Sequence, residues 1–151
     1  MYRWVYKKFE DLQLMELYAI GHLRQEVFVV EQDCPYIDFD FKDPECGHLM
    51  GWDTEDNLIA YSRLVPLGVS YPAEIAIGRV ITSSKVRGQG IGIELMQRSI
   101  QIAMDKMGKK DIRISAQDYL LKFYASFGFE DTGKKYLEDG IPHTEMLLKV
   151  V

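Results

Sequence analysis

The sequence has only two cysteines among its 151 residues, and they form no Cys-x-x-Cys pair. Two thiols allow at most one disulfide, which excludes a disulfide framework, and the spacings typical of zinc sites are also missing. We therefore interpret Cys34 and Cys46 as free thiols in a reducing compartment and predict no metal site.

Long apolar runs and an excess of positive charge are lacking as well. No run of about 18 apolar residues occurs, so no segment is predicted to cross a membrane. The first twelve residues, MYRWVYKKFEDL, lack the apolar core of a signal peptide, which predicts a cytoplasmic protein. With 18 basic and 23 acidic residues the net charge is −5, which argues against nucleic acid as a partner because phosphate binding needs a basic surface.

A chain of this length suits one domain, so residues 1–151 are interpreted as a single unit. Alternation and β-branched runs predict strands at 2–9, 48–52, 58–65, 75–82, 112–116 and 144–151. Helical spacing of apolar residues predicts helices at 14–27, capped by Asp11, at 91–107 and at 120–127. The β-branched residues Val27 to Val30 also allow a strand. This order predicts a mixed α/β sheet with helices on its faces.

The segment VRGQGIGIEL, residues 86–95, places Gly88, Gly90 and Gly92 between a predicted strand and a predicted helix. Free N–H groups at a helix N-terminus bind phosphate oxygens, and glycine lets the backbone come close to them. A P-loop would need a lysine after its last glycine, and a dinucleotide fingerprint would need a glycine where Ile93 stands. An unrelated nucleotide-binding domain is therefore a weaker alternative, and a purely structural turn is the other.

Several motifs accompany this turn. Residues 87–92 match an R/Q-x-x-G-x-G/A signature, and AQDYLLKFYASFGF (116–129), RQEVFVVEQDCPYIDFD (24–40), IGRVITS (77–83) and LEDGIPHTEM (137–146) follow the same family pattern. Together they resemble the GNAT superfamily of acetyltransferases, and within it the ElaA-type branch, over nearly the whole chain. The resemblance implies the acyl-CoA N-acyltransferase fold, with a mixed, mostly antiparallel central sheet and helices on both faces.

The resemblance also implies the cosubstrate and the reaction. It predicts an N-acetyltransferase that moves the acetyl group of acetyl-CoA to a primary amine, on a small molecule or a peptide, by direct attack in a ternary complex. The pyrophosphate of coenzyme A would bind to Arg87, Gly88, Gln89, Gly90, Ile91 and Gly92. Its pantetheine arm would contact backbone groups of Val80, Ile81 and Thr82.

Catalysis of such a transfer needs an acid for the departing thiolate and a base for the incoming ammonium. Tyr124 matches the tyrosine that many GNAT enzymes place beside the sulfur, although its spacing also suits a core aromatic. The candidate bases are Glu31, His48, His143 and Glu145, of which Glu31 and His143 are preferred.

Charged residues within apolar strands must be paired or must face a cleft. We therefore predict that Arg63 and Arg79, with His48, bind the substrate, the alternative being structural ion pairs with Asp or Glu. The acidic loop could attract a cationic amine; its aspartates are Asp33, Asp38, Asp40 and Asp43.

Two further hypotheses are open at this point. The chain could be a non-catalytic, coenzyme A-binding regulatory module, which needs the glycine turn but neither Tyr124 nor a base. A homodimer paired through the last strand is a guess based on the frequency of dimers among GNAT proteins.

Overall fold

A seven-stranded sheet, in the order β1-β2-β3-β4-β5-β7-β6, runs through residues 1–150, which the computed structural model describes. The strands are β1 Arg3–Lys8, β2 Gly47–Trp52, β3 Leu58–Val65, β4 Ile75–Thr82, β5 Ile112–Gln117, β6 Glu130–Glu138 and β7 Ile141–Leu148. Neighbouring strands are antiparallel except β4 and β5, which are parallel. The predicted mixed, mostly antiparallel sheet is confirmed.

Helices cover both faces of this sheet, as predicted. They are α1 Leu14–Arg24, α2 Ile91–Met107 and α3 Leu121–Ala125. Adjacent residues of β2 show the two faces, because side chains alternate along a strand. Leu49 belongs to the core cluster that contains Leu95 of α2, whereas Met50 packs in a second cluster with Ile20 of α1.

The start and the end of α1 differ from the prediction. Asp11 does not cap the helix; Gln13 is the N-cap, and its backbone N–H donates to Glu16 Oε1 at 2.8 Å. Beyond Arg24 the chain continues as a π-helical segment, Gln25–Glu31. The valines that allowed a strand are therefore helical, and single π turns are frequent at functional sites.

Strand β6 was missed by the sequence analysis. Eight of its nine residues are exposed, five are charged, and Gly133 interrupts them, so no apolar alternation marks the strand. Asp139 and Gly140, at φ of 50° and 78°, form the two-residue turn into β7. That strand therefore begins at Ile141 rather than Thr144, while Val151, at the end of the predicted strand, lies outside the described residues.

The position of β7 makes the suggested pairing of two copies through the last strand wrong. Strand β7 is hydrogen-bonded to β5 on one side and to β6 on the other, so its backbone groups are already used. Within residues 1–150, no helix is long and apolar enough to cross a membrane. Both cysteines are buried and free.

A buried arginine fixes the long loop between the π-helical segment and β2. Arg24, 1% exposed, donates to Asp38 Oδ2 at 2.7 Å and to Asp43 Oδ1 at 2.6 Å. Below this loop His48 is fully buried; its Nε2–H donates to the Asp43 carbonyl at 3.0 Å, so Nδ1 accepts from the Tyr61 hydroxyl at 2.6 Å. The loop is thus held at both ends of the Asp38–Asp43 segment.

The neutral state of His48 predicts an acid-sensitive fold. Burial lowers the pKa of His48 below its ordinary value, so the unfolded chain binds a proton at a pH where the folded chain does not. The free energy of unfolding should therefore fall as pH drops below about 6.5, by up to about 1.4 kcal/mol per pH unit. Urea denaturation between pH 7 and 5 measures this slope.

The matched comparison for this prediction is His48→Gln against His22→Gln. Glutamine keeps a donor and an acceptor but does not titrate, so the His48 variant should flatten the slope whatever its absolute stability. His22 is exposed on α1, and its replacement should leave the slope as in the parent protein. A slope unchanged by His48→Gln would contradict the assignment.

Candidate active site

The parallel strands β4 and β5 separate soon after they begin. In the described part of the chain they pair at Ile75–Ile112 and Ala76–Arg113, and then diverge. At Arg79, φ is 49° and the register against β3 shifts, so β4 bends at a bulge. A cavity of about 1000 Å³ opens beside the diverging strands and is lined by Val80, Ile81 and Thr82. Backbone groups on the open edges are left to accept a ligand.

The glycine turn precedes α2, and two of its residues, Arg87 and Gly92, line this cavity. Gly88 and Gly90 have φ of 81° and 79°, in the left-handed region that favours glycine, and Gly90 is the N-cap of α2. No described atom lies within 4 Å of a Cβ built on either residue, so dihedral strain, not space, requires glycine there. The first-turn N–H groups and the dipole of this 17-residue helix make the turn suited to an anion.

Arg87 connects the glycine turn to the π-helical segment. Its Nη2 donates to Glu31 Oε1 at 2.7 Å and to the Thr82 carbonyl at 3.1 Å, while about half of the side chain is exposed. Glu31 is the last residue of the π-helical segment. The carboxylate predicted as a base is thus engaged by the arginine predicted to bind phosphate. Gln89, the middle residue of the turn, accepts a hydrogen bond from the Tyr2 hydroxyl at 3.1 Å.

Tyr124 belongs both to the core and to the cavity. It packs edge-on against Phe123 and Phe129, is 7% exposed, and lines the cavity. Burial, with a smaller effect from Tyr119, raises the pKa of Tyr124 to about 12. None of the hydrogen bonds within residues 1–150 uses its hydroxyl, so a protonated donor is free to face a ligand.

His143 lines the same cavity from β7. Its Nδ1 is 2.7 Å from the Ile141 carbonyl oxygen, which can only accept, so Nδ1 carries the proton in the neutral ring. Its Nε2 therefore has a lone pair, and Glu138 Oε2 lies 3.5 Å away. Glu145, another candidate base, is ion-paired with Arg113 Nη1 at 2.7 Å, so its carboxylate is less available than His143 Nε2 to take a proton.

The predicted substrate-binding residues have structural partners. Arg63 and Arg79 line the cavity, but Arg63 bonds both oxygens of Asp40 at 2.8 Å and Arg79 Nε bonds Asp38 Oδ1 at 2.8 Å. Although burial acts in the opposite direction, the hydrogen bonds and charge of Arg63 hold the pKa of Asp40 well below its usual range. Most carboxylates of the acidic loop are therefore neutralised by arginines. Arg63 and Arg79 form the structural ion pairs that were the alternative to substrate binding.

His48 lies outside the cavity that the described residues line, since it is buried under the acidic loop. Among the polar residues that do line it without having been selected from the sequence are Gln117 and Glu138. A signal for Gln117 existed in β5, where Arg113, Ser115 and Gln117 alternate with buried apolar residues and so share the other face. Within residues 1–150 no group of His, Cys, Asp and Glu side chains could hold a metal ion.

Known proteins resemble this chain in sequence and in fold. The family described as "Acetyltransferase (GNAT) domain" matches residues 49–150. The chain belongs to the GNAT acetyltransferase family. Protein ElaA of Escherichia coli K12 is 38% identical to this GNAT chain over 153 residues, covering 100% of this chain and 99% of ElaA. A UPF0039 protein of Synechocystis sp. is 40% identical over 97% of this chain and 95% of its own length.

Solved structures agree with this GNAT assignment. A crystal structure of an acyl-CoA N-acyltransferase from Pseudomonas aeruginosa is 43% identical, covers 98% of this chain and 99% of that one, and has a TM-score of 0.92. The crystal structure of E. coli ElaA, at 37% identity, covers 99% and 100% with a TM-score of 0.91. The GNAT fold and the ElaA-like branch predicted from the motifs are confirmed. Family membership implies acyl transfer from coenzyme A.

The role of the glycine turn can be tested with two positive-φ glycines at opposite ends of α2. Gly90→Ala should cost about 1–2 kcal/mol of folding stability, because alanine is strained at φ of 79° and ψ of 8°. Gly108→Ala should cost about 1–3 kcal/mol, because φ of 87° with ψ of 163° is a region that only glycine populates readily. Neither added Cβ would meet another described residue's atom within 4 Å. Gly90→Ala should also weaken coenzyme A binding at least tenfold in isothermal titration calorimetry. Gly108→Ala should not; equal affinity in both variants would show that the turn does not hold the ligand.

Proposed function

We propose that this chain transfers the acetyl group of acetyl-CoA to a primary amine, which attacks directly in a ternary complex. The observation that carries the proposal is the cavity beside the diverging strands β4 and β5, because Arg87 and Gly92 of the glycine turn line it together with Tyr124 and His143. The P. aeruginosa relative, an acyl-CoA N-acyltransferase at 43% identity, supports the same chemistry.

The glycine turn and the open edge of β4 would hold the cosubstrate. Residues 88–92 supply backbone N–H groups for the pyrophosphate, and Arg87 adds a planar, charged donor. Glu31 acts in this scheme as a positioning residue, because its carboxylate holds the Arg87 guanidinium beside the turn. The amides of the pantetheine arm would pair with backbone groups of residues 80–82, as an added strand would.

The acceptor amine requires a base before it can attack. An alkylamine with a pKa near 10.4 is an ammonium ion at neutral pH, and only the neutral amine is a nucleophile. His143 Nε2, which has the lone pair, would take this proton, and the half-exposed Glu138 carboxylate beside it would stabilise the resulting imidazolium. The proton then leaves to solvent.

Attack of the neutral nitrogen on the thioester carbon forms a C–N bond and places negative charge on the carbonyl oxygen. A backbone N–H near Val80 would donate to this oxyanion. The C–S bond then breaks, the Tyr124 hydroxyl gives its proton to the thiolate, and the phenolate takes the second proton from the nitrogen. The products are the amide, free thiol and one proton, so the charges balance.

Two assays test the proposal together. Acetyl-CoA, coenzyme A, ATP and NAD are compared in a thermal-shift series, and release of free thiol is followed with acetyl-CoA and a broad panel of amines. The proposal expects stabilisation by the two coenzyme A species and thiol release with at least one amine. Binding without transfer to any amine would instead support the regulatory coenzyme A-binding module, and no binding would contradict both.

The acid role of Tyr124 predicts a loss of rate without a loss of binding. Tyr124→Phe should lower kcat on the order of 10²-fold, since it removes the proton donor for the thiolate. The thermal shift with coenzyme A should persist, because the ring and its packing are kept. Tyr119→Phe, which removes a hydroxyl from an exposed residue lining the same cavity, is the control and should retain kcat. Full turnover by Tyr124→Phe would reject the role.

A further inference from the structure

One residue inside a strand has a backbone conformation that its side chain disfavours. Within residues 1–150, five non-glycine residues have positive φ; four of them lie in turns or loops, and three of those four are aspartates. The fifth is Arg79, at φ of 49° within β4. Aspartate tolerates this region because its short polar side chain can hydrogen-bond locally, whereas arginine is strained there. Such strain persists only where the surrounding structure enforces it.

The strain lies at the bulge that bends β4. Here the single residue Ser62 of β3 faces two residues of β4, Arg79 and Val80. Ser62 is fully buried, and its Oγ lies 2.7 Å from Ser99 Oγ of α2. Strand β3 is thus held in place on the α2 side of the sheet. The shape of the bulge therefore depends on what the Arg79 side chain contacts on the other side.

The Arg79 side chain is enclosed by the π-helical segment and the loop that follows it. Its Nε donates to Asp38 Oδ1 at 2.8 Å, and its Nη2 donates to the Asp38 carbonyl at 2.9 Å. The ring centroids of Phe28 and Tyr36 each lie 5.9 Å from its Cζ. Asp38 is fixed in turn, because Arg24 Nε donates to its Oδ2 at 2.7 Å and the Tyr36 hydroxyl to its Oδ1 at 2.8 Å. Phe28, Tyr36 and Asp38 thus form a cage around the guanidinium.

The cage acts on the stretch of backbone that the proposed reaction uses. The dihedral angles of Arg79 set the relative orientation of two planar peptide groups, which carry the N–H groups of Arg79 and Val80. A side chain that is anchored at its far end resists the rotation to negative φ that would relieve the strain. The oxyanion donor proposed near Val80 belongs to this stretch, and such a donor is effective only when it is oriented before the reaction.

We propose that Arg79 is a positioning residue for acyl transfer: its caged guanidinium holds the bulge in the conformation that directs an N–H near Val80 to the thioester oxygen. The inference rests on the proposed function, because that donor is part of it. Arg79 does not touch the substrate in this scheme, and its ion pair with Asp38 acts through the backbone of β4.

The carbonyl group of bound acetyl-CoA reports on this donor. A hydrogen bond to the thioester oxygen polarises the C=O bond and moves the carbonyl ¹³C resonance to higher frequency. Acetyl-CoA labelled with ¹³C at this carbon is bound to the full chain without an acceptor, and its resonance is compared with that of free acetyl-CoA. We expect the shift in the parent protein and its loss in Arg79→Gln, which lacks the charge and the paired donors. This variant should still bind coenzyme A, while its kcat with an amine should fall at least about tenfold.

Two further variants separate positioning from stability. Arg79→Gly accepts positive φ without strain but has no side chain in the cage, so the ¹³C shift should also be reduced. Arg113→Gln is the matched control, because Arg113 also lines the cavity and is ion-paired, with Glu74 at 2.6 Å and Glu145 at 2.7 Å, but has no positive φ. This control should lose stability and keep the ¹³C shift.

Three results would overturn the proposal: no ¹³C shift in the bound parent protein, a full shift in Arg79→Gln or in Arg79→Gly, or an equal loss of the shift in Arg113→Gln. None of them depends on acetyl transfer. If the parent protein releases thiol with an amine but gives one of these results, the proposed function stands and the role of Arg79 fails. The expected shifts without thiol release for any amine would instead count against the proposed function alone.

Discussion

The separation of β4 from β5 is the constraint on which the site depends. Two pairs of residues join these parallel strands before the bulge at Arg79 bends β4 away. A non-glycine residue at positive φ is strained, and the open strand edges leave backbone N–H and C=O groups without hydrogen-bond partners. The strain at Arg79 is offset locally, since its guanidinium bonds the Asp38 side chain and carbonyl, whereas the open strand edges stay available to a ligand. The gap that results is wide enough for a ligand and lined by polar backbone groups, which is what an amide-rich arm requires.

Three arginines and three aspartates secure the wall over this gap. Arg24, Arg63 and Arg79 share Asp38, Asp40 and Asp43, so the charges within the cluster balance. Buried ion pairs add little net stability over apolar packing, because desolvation opposes their attraction. Their directional bonds instead fix where the loop lies. The Arg87–Glu31 pair extends the same principle to the glycine turn, which it joins to the end of the π-helical segment.

Local patterns made much of this structure predictable. The glycine turn, β3, β4 and α2 each have a periodic signal within a short window, and the motifs identified the family. Strand β6 had none, because an exposed edge strand needs no apolar face. The partners of Arg79 and of His143 could not be predicted from local patterns either. Asp38 is 41 residues from Arg79, and the pairing of His143 with Gln117 depends on the register of the folded sheet. Tertiary placement decided the rest, since His48 is buried beneath the acidic loop and Glu31 is paired with Arg87, 56 residues away in the sequence.

The central claim is that the thioester arm of acetyl-CoA lies along the open edge of β4. Backbone ¹H–¹⁵N NMR of the full chain, recorded with and without acetyl-CoA, tests it most directly. The account predicts large, saturable shifts of the amides of Val80, Ile81 and Thr82 and of residues 88–92, with β1 and β6 unchanged. Saturable binding that left residues 80–82 unperturbed would contradict it, because the ligand would then lie elsewhere.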